Sequence, residues 1–96
     1  MDNLFVVSYD IMDPKRWRKV HRTMEGFGEA LQYSVFACRL TEQGYVRMLS
    51  ALEEVIKSDL DRVMIVNIGP ADGKASDRVK FLGRFEDLPE RKATIV

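Results

Sequence analysis

The chain has 96 residues, 46% of them apolar, with 15 basic side chains balancing 15 acidic ones. That length closes about one hydrophobic core, which excludes a second domain of ordinary size. A formal charge of zero says nothing for or against nucleic acid, so any site for a polyanion has to arise from local clustering.

At the start, Asp2 and Asn3 stand where a secretory signal would carry basic residues before an apolar run, and no stretch of about 18 apolar residues follows. A cytoplasmic protein without membrane contact is expected. Leu4 to Tyr9 is an apolar, β-branched run without helical periodicity and reads as a strand buried on both faces. Asp13 then caps a helix whose first position is Pro14, where the missing N–H costs nothing. Trp17, Val20, Met24 and Phe27 draw one apolar stripe down that helix, which ends near Gly26 to Gly28. The run ALQYSVFACRL, Ala30 to Leu40, is too long for one typical strand and divides into two that meet near Tyr33 and Ser34. Within it Cys38, the single cysteine, rules out an internal disulfide and reads as a small apolar filler. Thr41 caps a second helix with Tyr45, Met48, Leu49, Leu52, Val55 and Ile56 on one face. RVMIVNI, Arg62 to Ile68, is a further strand, stopped by the turn residues of GPADGK. FLGRF, Phe81 to Phe85, is a candidate fifth strand before a polar tail ending in Ile95 and Val96.

Strand, helix, two strands, helix, strand is the order of an α+β, ferredoxin-like βαββαβ sandwich over 1–80, with both helices on one face of an antiparallel sheet. Residues 81–96 form a C-terminal strand and tail expected to pack on the chain's own sheet or on a partner's. Neither face of the strands at Leu4–Tyr9 and Arg62–Ile68 alternates to polar residues, and a chain this small has nothing of its own left to cover the helix-free face. A homodimer through the sheet faces is therefore expected.

Two features carry chemistry. Lys15, Arg18, Lys19 and Arg22 stand at i, i+3, i+4 and i+7, opposite the apolar stripe, with Arg16 on their flank. Such a face is either ordinary solvated surface or, doubled in a dimer, a track for phosphates. Asp10 ends the first strand just before a loop. It is either a turn residue bonding its local backbone or a functional carboxylate at a strand's C-terminal end. Magnesium is held by one or two carboxylates with phosphates and water, so two Asp10 side chains meeting across a dimer axis would suffice. His21, the only histidine, reads as a surface residue. No Walker loop, paired CxxC, HExxH or nucleophile elbow occurs, and the third strand offers only Phe36 toward an RNA-recognition motif.

VVSYDI with its terminal Tyr9 and Asp10, then DPKRWRKV, then LQYSVFACRL, together resemble the CRISPR-associated protein 2 family, and the likeness runs over nearly the whole chain. The resemblance implies a ferredoxin-like homodimer whose C-terminal strand packs on the partner's sheet. It implies a magnesium-dependent endonuclease acting on single-stranded RNA or double-stranded DNA, with Asp10 as metal ligand and catalytic residue. It also implies a scaffold role in CRISPR adaptation, in which the dimer bridges the integrase, CRISPR-associated protein 1, and basic residues including Arg16 and Arg18 hold the incoming DNA. Trp17 interrupts a stretch that is often uniformly basic in relatives. The competing reading is a ferredoxin-like regulatory module that binds a metabolite or a protein and no nucleic acid.

Overall fold

A computed structural model describes residues 1–84. In chain order it holds β1 (Asn3–Asp10), α1 (Pro14–Glu25), β2 (Glu29–Gln32), β3 (Val35–Leu40), α2 (Glu42–Val55) and β4 (Arg62–Pro70), then a short 3-10 segment at Ala75–Arg78. The sheet order is β2-β3-β1-β4 with every neighbouring pair antiparallel. Each helix therefore joins two parallel strands separated by a third, and the two crossovers interlock as the ferredoxin-like arrangement requires. Both predicted caps form: Asp13 Oδ2 accepts from the Arg16 N–H at 2.9 Å and Thr41 Oγ1 from the Gly44 N–H at 3.0 Å.

Strand alternation sorts the side chains. Phe5, Val7 and Tyr9 of β1, with Phe36, Cys38 and Leu40 of β3, form the core with Val20 and Met24 of α1 and Met48 and Leu52 of α2. Each large side chain buried here contributes about 1.5–3 kcal/mol relative to exposure. Cys38 is fully buried and its thiol is pushed up to about 12 by that burial, as a filler's would be. The return from α1 to β2 runs hard against β3. A Cβ on Gly28 would lie 2.2 Å from the Ala37 carbonyl oxygen.

The helix-free face corrects one expectation. The chain does cover part of it: Leu4 and Ala37 are buried with Ala75 of the 3-10 segment, flanked by Leu31, Ile68 and Ala71. A bulge between Leu4 and Phe5 in the β1–β4 ladder and a positive φ of 113° at Gly69 redirect the chain there. Arg78 Nη1 then donates to the Ile68 carbonyl at 2.8 Å. Among the described residues nothing covers the rest of this face, with Met64 56% and Val66 43% exposed. Phe81–Arg84 join no strand of this chain's own sheet, and Phe85 and the tail through Val96 lie outside the described residues.

Candidate functional site

Asp10 is the last residue of β1 and is exposed. Among the described residues its carboxylate has neither a hydrogen bond nor an ion pair, so it does not serve as a local turn cap. Its cross-strand neighbour is Arg62, the first residue of β4, which is also exposed and unpaired with it. Sequence reading treated Arg62 only as a strand start; the antiparallel register makes it the cation beside Asp10.

The loop after Asp10 is fixed by a residue that the sequence did not single out. Asp61 is buried and accepts four hydrogen bonds. They come from the Met12 N–H at 3.0 Å, the Lys57 N–H at 2.9 Å, Arg16 Nε at 2.8 Å and Arg16 Nη2 at 3.0 Å. One carboxylate thus ties the β1–α1 loop, the first turn of α1 and the α2–β4 loop together. The Arg16 guanidinium, assisted by the Lys57 and Met12 N–H groups, holds the Asp61 carboxyl well below the usual carboxylate range. In the sequence Asp61 is one of four acids between Glu53 and Asp61, and nothing local separates it from Glu53, Glu54 or Asp59.

This clamp divides the five basic residues of α1. Arg16 closes its fork on Asp61, and its side chain is only 17% exposed. Lys15, Arg18, Lys19 and Arg22 are all exposed, and none has an acidic partner among the described residues. Sequence periodicity set Lys15, Arg18, Lys19 and Arg22 on one face with Arg16 on its flank; the tertiary structure leaves those four without an acidic partner among the described residues and commits Arg16 to holding the loop beside Asp10.

His21 is corrected from a surface residue to a half-buried one. Its Nδ1 shares a 2.8 Å hydrogen bond with the Tyr9 hydroxyl, and its ring stacks on Trp17 with centroids 4.7 Å apart. Phe36 meets it edge-on at 5.3 Å. Tyr9 itself is buried, and its phenol is pushed up to about 12, first by that burial and then by the neighbouring Tyr33 and Glu25. Tyr9 is therefore a neutral packing residue under Asp10. Phe36 is buried against the helices and offers no ring to the open sheet face.

For magnesium, the relevant test is the donor set. No group of three or more His, Cys, Asp or Glu side chains among the described residues gathers as a metal cage. A free carboxylate such as Asp10 meets the smaller demand of magnesium, which takes one or two carboxylates and fills its remaining positions with phosphate oxygens and water. Among the described residues no helix is long and apolar enough to cross a membrane.

Fold and site together define a ferredoxin-like α+β protein in which, among the described residues, an acid at the end of a central strand and the cationic helix face that follows it are both unpaired. Residues 3–74 match the family model of CRISPR associated protein Cas2, and the chain belongs to that family. It is 42% identical over 95 residues to the CRISPR-associated endoribonuclease Cas2 1 of Rhodospirillum rubrum, covering 99% of this chain and 92% of that one. With the CRISPR-associated endoribonuclease Cas2 of Geobacter sulfurreducens it shares 41% identity over 96 residues, covering 100% of both. Among solved structures, Streptococcus pyogenes Cas2 at pH 6.5 superposes with a TM-score of 0.73 at 27% identity, over 83% of this chain and 99% of that one. The hypothetical protein TT1823 from Thermus thermophilus gives 0.69 at 25% identity, over 92% of each chain.

Proposed function

We propose that this protein is a homodimeric nucleic-acid-binding component of CRISPR adaptation with magnesium-dependent endonuclease activity. The observation that carries the reading is an exposed carboxylate, Asp10, ending the strand that leads into α1, whose four exposed cations have no acidic partner among the described residues. Lys15, Arg18, Lys19 and Arg22 hold the phosphate backbone of double-stranded DNA or single-stranded RNA through charge, without reading sequence. Arg16 contributes by fixing, through Asp61, the loop that follows Asp10. The open part of the helix-free face, with Met64 and Val66, is the surface through which a second copy packs. The family resemblance supports docking of the CRISPR-associated protein 1 integrase, and the names of the two curated relatives support RNA as a substrate.

Asp10 would hold the magnesium, alone or with the second copy's carboxylate, and the ion when bound would supply polarisation of the phosphoryl oxygen and acidification of water. The cations of α1 position the scissile phosphate against Asp10, and Arg62 adds positive charge beside it. Purified protein should cleave single-stranded RNA or duplex DNA only with magnesium present, and Asp10→Asn should abolish cleavage while binding is retained. Cleavage that persists in Asp10→Asn removes the ligand role, and a monomeric mass by light scattering at micromolar concentration removes the dimer.

A further inference from the structure

The rings beside α1 form a column with an open end. Trp17 stacks on His21 at 4.7 Å and 15°, and Tyr33 stacks on the opposite side of the group at 4.5 Å and 13° from Trp17. The inner part is anchored. Trp17 Nε1 donates to Ser34 Oγ at 2.9 Å, and His21 Nδ1 is bonded to the Tyr9 hydroxyl at 2.8 Å. Among the described residues nothing covers the outer part. Tyr33 is 76% exposed although its ring is held parallel to Trp17. An aromatic ring that is both fixed and exposed is unusual, because a ring needed only for the core would be buried and a ring needed only for a turn would not be stacked.

Position links this column to the proposed binding surface. Ser8 pairs with Val35, and the Tyr9 N–H donates to the Ser34 carbonyl at 3.0 Å, so the Tyr33–Ser34 turn lies at the same end of the sheet as Asp10. Trp17 lies on the helix that carries Lys15, Arg18, Lys19 and Arg22. Trp17 belongs to the apolar stripe and the cations to the opposite face of the same helix, so the exposed ring and the cations are two parts of one end of the molecule that a single strand could engage together: bases stack on the ring while the cations take the phosphates. A duplex, with its bases already stacked on one another, has no unpaired face to offer.

We propose that Tyr33, backed by Trp17 and His21, is a stacking platform for an unpaired nucleobase, which selects single-stranded segments over duplex at this end of the molecule. The proposal rests on the nucleic-acid reading above and deepens it by naming the structural feature of the substrate. The column is built before binding, so little ordering cost is incurred when a base arrives. Stacking is indifferent to base identity, and the platform therefore discriminates paired from unpaired rather than one sequence from another.

Tyr33→Leu is the informative variant, since leucine keeps Trp17 covered but offers no planar face; Tyr33→Phe keeps the face. Fluorescence anisotropy would follow the binding of a labelled 12-nucleotide single strand and a duplex of equal length to each full-length protein across a salt series. Tyr33→Leu should weaken single-strand binding by about 5- to 150-fold. Duplex affinity and the salt slope should stay unchanged, and Tyr33→Phe should behave as the parent. Equal single-strand affinity in Tyr33→Leu and the parent, with salt-reversible binding intact, overturns the platform and leaves the cationic face standing. Equal losses for single strand and duplex in Tyr33→Leu mark Tyr33 as structural and also overturn it. If the parent protein binds neither probe in a salt-reversible way, the nucleic-acid reading itself fails and the platform with it.

Discussion

Arg16 and Arg18 carry the same charge two positions apart, yet the structure gives them different work, and replacing each by alanine separates the two. In the proposed dimer each substitution removes two positive charges. Every phosphate neutralised contributes about 0.9 to the slope of log K against log salt on duplex DNA, so Arg18→Ala should flatten that slope by up to about 1.8. Combining it with Lys19→Ala removes four charges and up to about 3.6 of slope, an effect of about 100-fold in affinity between 50 and 200 mM salt. Thermal stability should hardly move, because both side chains are exposed and unpaired among the described residues. Arg16→Ala should do the reverse. Its guanidinium sits 2.8 Å from a carboxylate that is fully buried, so its loss strands that charge and should lower Tm by more than about 5 °C, with the slope nearly unchanged. The assays are anisotropy titrations at several salt concentrations and thermal melts of the same preparations. Equal slopes for the parent and Arg18→Ala, or a slope loss in Arg16→Ala as large as in Arg18→Ala, would refute the division of the basic residues drawn from the Asp61 clamp.

Asp61 adds a pH dependence whose sign follows from its lowered native pKa. Its stabilisation is fully present above the unfolded carboxyl value of about 3.9 and is lost as pH falls through the native one. Asp61→Asn should be less stable than the parent at neutral pH, with the gap narrowing in melts taken progressively below about pH 4; a gap independent of pH would contradict the ion-pair account. Gly28→Ala should destabilise by at least about 1–3 kcal/mol in urea unfolding, because its Cβ would meet the Ala37 carbonyl oxygen, which is backbone and cannot rotate away. An unchanged urea midpoint would mean that the α1–β2 return yields more easily than its packing implies.

Much of the fold was legible because its signals are local. Asp13 before Pro14, and Thr41 three residues before Gly44, are caps that act within one turn, and both helices start where those residues place them. The split at Tyr33 and Ser34 followed from strand length alone and matches the turn between β2 and β3. The stripes of Val20 with Met24 and of Met48 with Leu52 are periodicities that any core-facing helix must show, and these are the buried residues found. Placement of Asp10 at the end of β1 was likewise fixed by a run that stops there.

What the sequence could not express is partnership at a distance. Asp61 and Arg16 lie 45 positions apart, and although helical spacing sets Arg16 on the flank of the cationic face, nothing local says that it is held by an acid; only the approach of the α2–β4 loop to the first turn of α1 does so. The same holds for His21, whose surroundings of polar and charged neighbours suggest solvent until β1 and β3 bring Tyr9 and Phe36 against its ring. The covering of Leu4 and Ala37 by Ala75 depends on a bulge and a turn at Gly69, neither of which leaves a periodic trace. Capping, periodicity and strand length are decided by interactions within a few residues, so the sequence alone determined the elements and their order. Ion pairs, ring stacking and face coverage depend on which elements come to lie side by side, so the tertiary structure decided which cations are free, which acid is held, and which aromatic ring faces solvent.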